Sequence, residues 1–195
     1  MDWNDLYERK ETPWDKGLPT PVLAEIAGRH PDLFKGTVLV PGCGIGHDAR
    51  WLAERGCKVV GADIAPLAVQ KARALHLDAG LEFREVDLFQ LPDDMRGAFD
   101  LVWEHTCLCA LDPEMRLKYA EAIRETLKPG GTVAGVFFIN PEMDPGETGP
   151  PFGIEVPELE ALWQGVGFEV QDAWVPAVGY PGREGRERAM VLRRV

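Results

Sequence analysis

The chain has few cysteines, no basic excess and no long apolar run, and each shortage excludes a class of protein. Its four cysteines, Cys43, Cys57, Cys107 and Cys109, contain no pair of C-x-x-C units, so a structural zinc site is not expected and no metal is called for. Free thiols in a reducing compartment are the simplest reading. No apolar stretch reaches the roughly 18 residues of a membrane-span candidate, and the N-terminal MDWNDLYERKETPWDKG is polar, acidic and aromatic rather than basic and then apolar. A cytoplasmic location with no membrane partner is the default expectation. Lysine and arginine number 21 against 32 aspartates and glutamates, a formal charge of −11 that repels phosphate backbones and anionic lipid. Nucleic acid is therefore not the expected partner, although Arg183, Arg186, Arg188, Arg193 and Arg194 make the C-terminal stretch locally basic.

What is present suits one globular domain. The 195 residues are 45% hydrophobic, with apolar stretches separated by charge and glycine, which fits a single core. A helix is expected over 20–29, capped by Thr20 with Pro21 at the first helical position, then a strand over 36–41 and a helix over 47–55 stopped by Gly56. A strand at 58–63, a helix at 66–79, and strands at 82–86 and 99–103 follow. A long helix at 113–127 precedes the apolar strand TVAGVFFI at 132–139, which reads as buried on both faces. The stretch 140–156 breaks this rhythm with prolines and glycines and reads as a long functional loop. A helix at 157–165, a strand at 168–175, a turn at 179–185 and a strand at 187–193 complete the chain. Strands alternating with helices imply an α/β fold with a parallel sheet covered on both sides.

The chemistry gathers at strand ends. VLVP runs into Gly42, Gly44 and Gly46, where a sharp turn and close backbone approach to a ligand both need glycine; a purely structural turn would need it too. Asp63 ends the second strand, where a carboxylate can accept both hydroxyls of a ribose, and Asp87 ends the third, where it can meet an adenine amino group. Either is also suited to capping a helix. No G-K-[ST] and no cation follows the glycines, which excludes a P-loop and argues against a pyrophosphate. The ligand implied is a nucleoside carrying little negative charge.

The segments ETPWDKG, VLVPGCGIGHD, HTCLCALDPEMR and GPPF resemble the thiopurine S-methyltransferase superfamily, in its branch of plant and microbial thiol and halide methyltransferases. The resemblance runs from Trp3 to Arg188. It implies a class I S-adenosyl-L-methionine-dependent methyltransferase: a three-layer, Rossmann-like sandwich on a seven-stranded, mostly parallel sheet with an antiparallel last strand. It makes residues 1–195 one such domain, with 1–19 as a lid-like arm, and S-adenosyl-L-homocysteine the product. Carried over by position, Gly42, Gly44 and Gly46 border the methionine part of the cofactor, Asp63 its ribose and Asp87 with Leu88 its adenine, and Ile64 is a further cofactor contact. Glu104 stands where the family has an aspartate near the methionine end, and Trp3 and Trp14 belong to the closing arm. Trp14, His105, Pro151, Phe152 and Arg183 are the implied substrate side, with Arg186 a second basic position there.

This chain departs from the family in having His105, Thr106 and Cys107 after the fourth strand, so halide or thiocyanate specificity is not carried over. His105 is the candidate base for an acceptor proton; a structural histidine fits the same position. Cys107 and Cys109 read as packing thiols beside the cleft. The expected acceptor is a small thiol or related sulfur, halide or chalcogen species. Phenol or amine acceptors remain alternatives, as does a non-catalytic nucleoside-binding protein, and the expected assembly is a monomer or weak homodimer.

Overall fold

Val38 and Val40 face one side of their strand and Leu39 the other, and all three are buried. Alternate residues of one strand therefore enter two separate cores, which requires layers on both faces of the sheet. In the computed structural model, which describes residues 1–77, 80–143, 146 and 149–195, the elements run α1 (Trp3–Arg9), α2 (Val22–Arg29), β1 (Thr37–Pro41), α3 (His47–Ala53), β2 (Lys58–Asp63), α4 (Pro66–Leu75), β3 (Leu81–Glu85), β4 (Phe99–His105), α5 (Arg116–Thr126), β5 (Leu127–Phe138), α6 (Val156–Gly165), β6 (Phe168–Trp174) and β7 (Glu187–Arg194).

The sheet order is β3-β2-β1-β4-β5-β7-β6, with β7 antiparallel to both neighbours. This is the expected seven-stranded architecture. Leu39, Val102, Val133, Phe137, Tyr119 and Trp163 fill one core; Val38, Val40, Leu52, Leu101, Trp103 and Val136 fill the other, beneath α2 and α3. Strand order reverses between β1 and β4, the switch point at which an open α/β sheet leaves a crevice at its carboxyl ends.

Several boundaries differ from expectation for identifiable reasons. The arm contains α1, whose first turn is capped by the Asp2 carboxylate accepting the Asp5 N–H at 3.1 Å. Strand β4 runs two residues further, because Glu104 and His105 pair with Gly135 and Val136. β5 starts at Leu127, which pairs with Phe99 before a register shift. Residues 113–115 form a 3-10 turn capped by Asp112 rather than the start of α5. α2 opens at Val22, whose N–H reaches Thr20 Oγ1 at 3.4 Å. The helix expected to reach Ala79 ends at Leu75; Asp78 and Ala79, like 144, 145, 147 and 148 of the loop, lie outside the described residues.

Gly46 opens α3 at φ +88, and a Cβ there would lie 2.4 Å from Phe83 Cζ. Gly46→Ala is therefore expected to cost about 2–4 kcal/mol, combining left-handed strain with overpacking. Urea denaturation with an unchanged midpoint would refute this.

Candidate active site

At the carboxyl end of β1 the chain turns through Gly42, Gly44 and Gly46, all at positive φ. A Cβ at Gly42 would sit 2.9 Å from Cys107 Sγ, and one at Gly44 would sit 3.1 Å from the Tyr7 hydroxyl. The first two glycines border a cavity of about 600 Å³. Gly46 is not among the lining residues; its lack of a side chain is required by the packing of Phe83.

Asp63, at the end of β2, is 9% exposed. Its Oδ2 accepts the Gly44 N–H at 2.8 Å and its Oδ1 the Ala65 N–H at 2.9 Å. Burial pushes its pKa up, against the pull of these backbone donors. Ile64 beside it leaves a branched side chain 53% exposed at the cavity wall. After β3, Asp87 caps a 3-10 turn, accepting the Phe89 N–H at 2.9 Å and Gln90 Nε2 at 2.7 Å. Asp87 and Leu88 also line the cavity, so the capping role and the wall position coincide in one residue.

The arm closes this end. Trp14 packs edge-on against Trp3 and Tyr7, with ring centroids 5.4 and 5.9 Å apart, and its Nε1 donates to the Tyr7 hydroxyl at 3.2 Å. All three line the cavity. Ties that hold the arm down include Leu67 N–H to Asn4 Oδ1 at 2.9 Å, Lys71 Nζ to the Tyr7 carbonyl at 3.3 Å, His47 Nε2 to Asp15 Oδ1 at 3.2 Å, the Tyr180 hydroxyl to the Leu18 carbonyl at 2.7 Å and, where the arm meets α2, Thr20 N–H to Asp48 Oδ1 at 2.8 Å. Tyr7 was not foreseen, although its i, i+4 spacing from Trp3 is a helical signal.

The cavity is also lined by Thr106, Cys107, Cys109, Phe138, Pro150, Pro151 and Arg183, with Cys107 against the Gly42 turn. Thr106 holds φ +64, a left-handed conformation that costs a β-branched residue energy. Burial raises the Cys107 and Cys109 pKa values, the latter to about 12, so both remain neutral thiols. Arg183 Nη1 meets the buried Glu187 at 3.2 Å, and its guanidinium lies 4.8 Å from the Phe138 ring centre. Arg186 pairs instead with Glu142 and is not among the residues lining the cavity.

Two residues expected on the substrate side, His105 and Phe152, and one expected at the cofactor, Glu104, are not among the residues lining the cavity. His105 does not line the cavity: its Nδ1 meets Asp48 Oδ2 at 2.8 Å and its ring stacks on Tyr180. Asp48 Oδ2 also accepts Trp103 Nε1 at 2.9 Å. Burial works to raise the Asp48 pKa, but His105, Trp103 and the Thr20 N–H together take it below the ordinary value. Phe152 donates its N–H to the Cys109 carbonyl at 2.7 Å. Glu104 is 1% exposed, and its Oε1 accepts the Cys107 and Leu108 N–H groups at 3.0 and 2.7 Å. Burial pushes its pKa up to about 7, only partly offset by these donors, His105 and Tyr119.

Fold and chamber together define a class I S-adenosylmethionine-dependent methyltransferase. The fold is shared with the 1,6-didemethyltoxoflavin-N1-methyltransferase of Burkholderia thailandensis, solved with S-adenosylhomocysteine (TM-score 0.76, 20% identity, covering 100% of this chain and 86% of that one). It is shared also with an S-adenosylmethionine-dependent methyltransferase of Methanosarcina mazei (TM-score 0.72, 19% identity, 90% and 97% covered). The family model for thiopurine S-methyltransferase matches residues 1–179, and the chain belongs to that family. It is 33% identical over 190 residues to probable thiol methyltransferase 2 of Arabidopsis thaliana, covering 95% of this chain and 81% of the relative. Against thiocyanate methyltransferase 1 of the same plant it is 32% identical over 191 residues, with the same coverage.

The residues present fit the cofactor. Side-chain-free backbone at Gly42 and Gly44, a carboxylate at the β2 end, an exposed aliphatic face at Ile64 and an aromatic arm offer acceptors and apolar surface to a cationic nucleoside.

A carboxyl whose folded pKa is raised loses stability as pH rises from its ordinary value through the folded one. For Glu104 that window runs from 4.5 to about 7. The stability of Glu104→Gln relative to the native chain is thus expected to improve by roughly 3 kcal/mol between about pH 4 and about pH 8. A pH-independent difference in urea midpoints would contradict this.

Proposed function

We propose that this chain transfers the methyl group of S-adenosylmethionine to the sulfur of a small thiol or related sulfur anion. The observation that carries the reading is the acceptor end of the chamber: an apolar and sulfur-rich wall of Cys107, Cys109, Phe138, Pro150 and Pro151, with Arg183 as its cation. Relatives described as thiol, thiocyanate and thiopurine methyltransferases support it. Small neutral or singly charged sulfur acceptors suit such a wall; a nucleic acid does not suit a chain of charge −11. Among the described residues no helix is long and apolar enough to cross a membrane. We place the protein in the cytoplasm as a monomer or weak homodimer.

The cofactor, when bound, supplies an electrophilic methyl on a sulfonium. In this reading Asp63 accepts the ribose hydroxyls, and Ile64, Asp87 and Leu88 border the adenine. Gly42 and Gly44 let the backbone approach the methionine portion. Trp3, Tyr7 and Trp14 form a lid that excludes water and faces the positive charge with aromatic surface. Arg183 and Pro151 orient the acceptor for in-line attack. His105, held between Asp48 and Tyr180, positions the lid ties rather than touching the acceptor. Phe152 supports the Cys109 segment from behind.

Two measurements test this. In a panel of thiols, halides, selenite, phenols and amines, S-adenosylhomocysteine release is expected with thiols at rates well above the rest; release with phenols or amines alone would replace the sulfur reading. Asp63→Asn is expected to weaken S-adenosylhomocysteine binding about 10- to 100-fold, the effect of losing hydrogen bonds to a charged group. Calorimetry returning the native affinity would remove Asp63 from the site.

A further inference from the structure

The turn between β6 and β7 is pinned at both ends and fastened to the arm in its middle. Ahead of it, the Glu25 carboxylate on α2 accepts Trp174 Nε1 at 2.6 Å and the Ala177 and Val178 N–H groups at 2.9 and 3.3 Å. Behind it, Glu187 opens β7 opposite Phe138. Between these anchors Tyr180, 6% exposed, reaches in two directions. Its hydroxyl donates to the Leu18 carbonyl of the arm at 2.7 Å, and burial keeps that hydroxyl protonated by raising its pKa. Its carbonyl accepts the Arg183 N–H at 2.9 Å, and its ring centre lies 5.4 Å from the Arg183 guanidinium. A second route from the arm ends on the same residue: the Thr20 N–H meets Asp48, Asp48 meets His105, and the His105 ring stacks on Tyr180 with centroids 5.9 Å apart. On the arm side of this clasp Trp14 and Lys16 line the chamber within four residues of Leu18; on the turn side Arg183 lines it three residues after Tyr180. Tyr180 is not itself among the lining residues, so it acts through them.

We propose that Tyr180 is a positioning residue that makes cofactor and acceptor bind cooperatively. Trp3, Tyr7 and Trp14 line the chamber from the arm, so a cofactor in contact with them favours the fastened arm over a loosened one. The fastened arm holds Tyr180 through Leu18, and Tyr180 holds Arg183 through its carbonyl and ring. Arg183 is then in place when the acceptor arrives, and the acceptor is spared the cost of ordering it. Coupling of this kind is reciprocal, so the acceptor tightens the cofactor by the same factor. The role of Tyr180 rests on the sulfur-acceptor reading, which puts the acceptor at Arg183, and deepens it by linking the two halves of the chamber.

Other contacts do not supply this link. The ties through Asn4, Tyr7 and Asp15 join the arm to α3 and α4, and none of them involves the turn. The remaining contacts of Arg183, with Glu187 at 3.2 Å and with the Phe138 ring at 4.8 Å, join it to β7 and β5 rather than to the arm. Among the described residues, the Leu18–Tyr180 bond is the one hydrogen bond that runs directly from the arm to the turn. A single neutral hydrogen bond changes an equilibrium by roughly 3- to 10-fold, which sets the size of the coupling it can carry.

Tyr180→Phe removes the hydroxyl and keeps a ring to stack on His105. Calorimetry measures S-adenosylhomocysteine affinity with and without saturating 4-nitrothiophenol, an electron-poor aromatic thiol ionised at neutral pH. The native chain is expected to bind S-adenosylhomocysteine about 10-fold more tightly with the thiolate present, and Tyr180→Phe less than about threefold more tightly. Amide hydrogen exchange reads the clasp with no acceptor present. S-adenosylhomocysteine is expected to slow exchange over 3–16 in both chains, and over 179–186 by about threefold or more in the native chain alone. Full coupling retained in Tyr180→Phe, or equal slowing over 179–186 in both chains, overturns the role of the hydroxyl. A native chain that binds the two ligands independently, or whose 179–186 exchange ignores S-adenosylhomocysteine, overturns it whatever the stability of the variant. If the thiol neither binds nor is methylated while the exchange pattern is as expected, the sulfur-acceptor reading fails and the link from arm to turn stands.

Discussion

The site depends on one carboxylate that joins two strand ends. Asp63 leaves β2 and accepts the Gly44 N–H from the turn after β1 and the Ala65 N–H ahead of α4. A buried carboxylate is tolerated because each oxygen meets a backbone donor that would otherwise be an orphan of the turn or helix start. This contact holds the glycine turn open at the switch point, and Tyr7 then approaches where Gly44 has no side chain. Turn, acid and arm are therefore one unit: moving any of the three displaces the other two.

The layer order and most strand positions were legible because they follow from periodicity and punctuation. VLVP with its glycines, KVVGAD, FDLVW and TVAGVFFI are apolar runs stopped by glycine, an acid or Asn140–Pro141, and each lies in a strand, the last up to Phe138. Asp63 and Asp87 were legible because a strand-end position is visible along the chain. The direction of a side chain at a strand end is not. Glu104 and His105 are adjacent on β4 and point to opposite faces, as successive strand residues must: one meets the turn below, the other Asp48 on α3. Neither assignment was open to sequence, because the partners lie on separate elements. Tyr119 was hidden for the same reason, being a mid-helix aromatic in RLKYAEAIRET that reads as core and serves also as wall.

The polar groups beneath the arm work as a scaffold. Asp48 gathers the Thr20 N–H, Trp103 Nε1 and His105 Nδ1, binding the end of the arm, β4 and the α3 start to one buried charge. Such a network is stable only when complete, so the arm's anchoring and the β4 end are energetically linked. His105 passes this order on by stacking against Tyr180. The hydroxyl of Tyr180 returns to the arm at Leu18, and Arg183 follows three residues later. The arm and the Arg183 side of the chamber thus share their supports.

The contact between Tyr180 and Leu18 spans 162 residues of chain. Loop closure over that distance is slow relative to local contacts, and Tyr180 leaves the ribosome after the residues of β1 to β6. A nascent chain can build the glycine turn, the Asp63 tie and the arm's contacts with Leu67, His47 and Asp48 while the Leu18 end of the arm still lacks its last fastening. The arm is consequently secured in two stages of biosynthesis, its N-terminal part early and its Leu18 end only when the sheet has nearly all its strands.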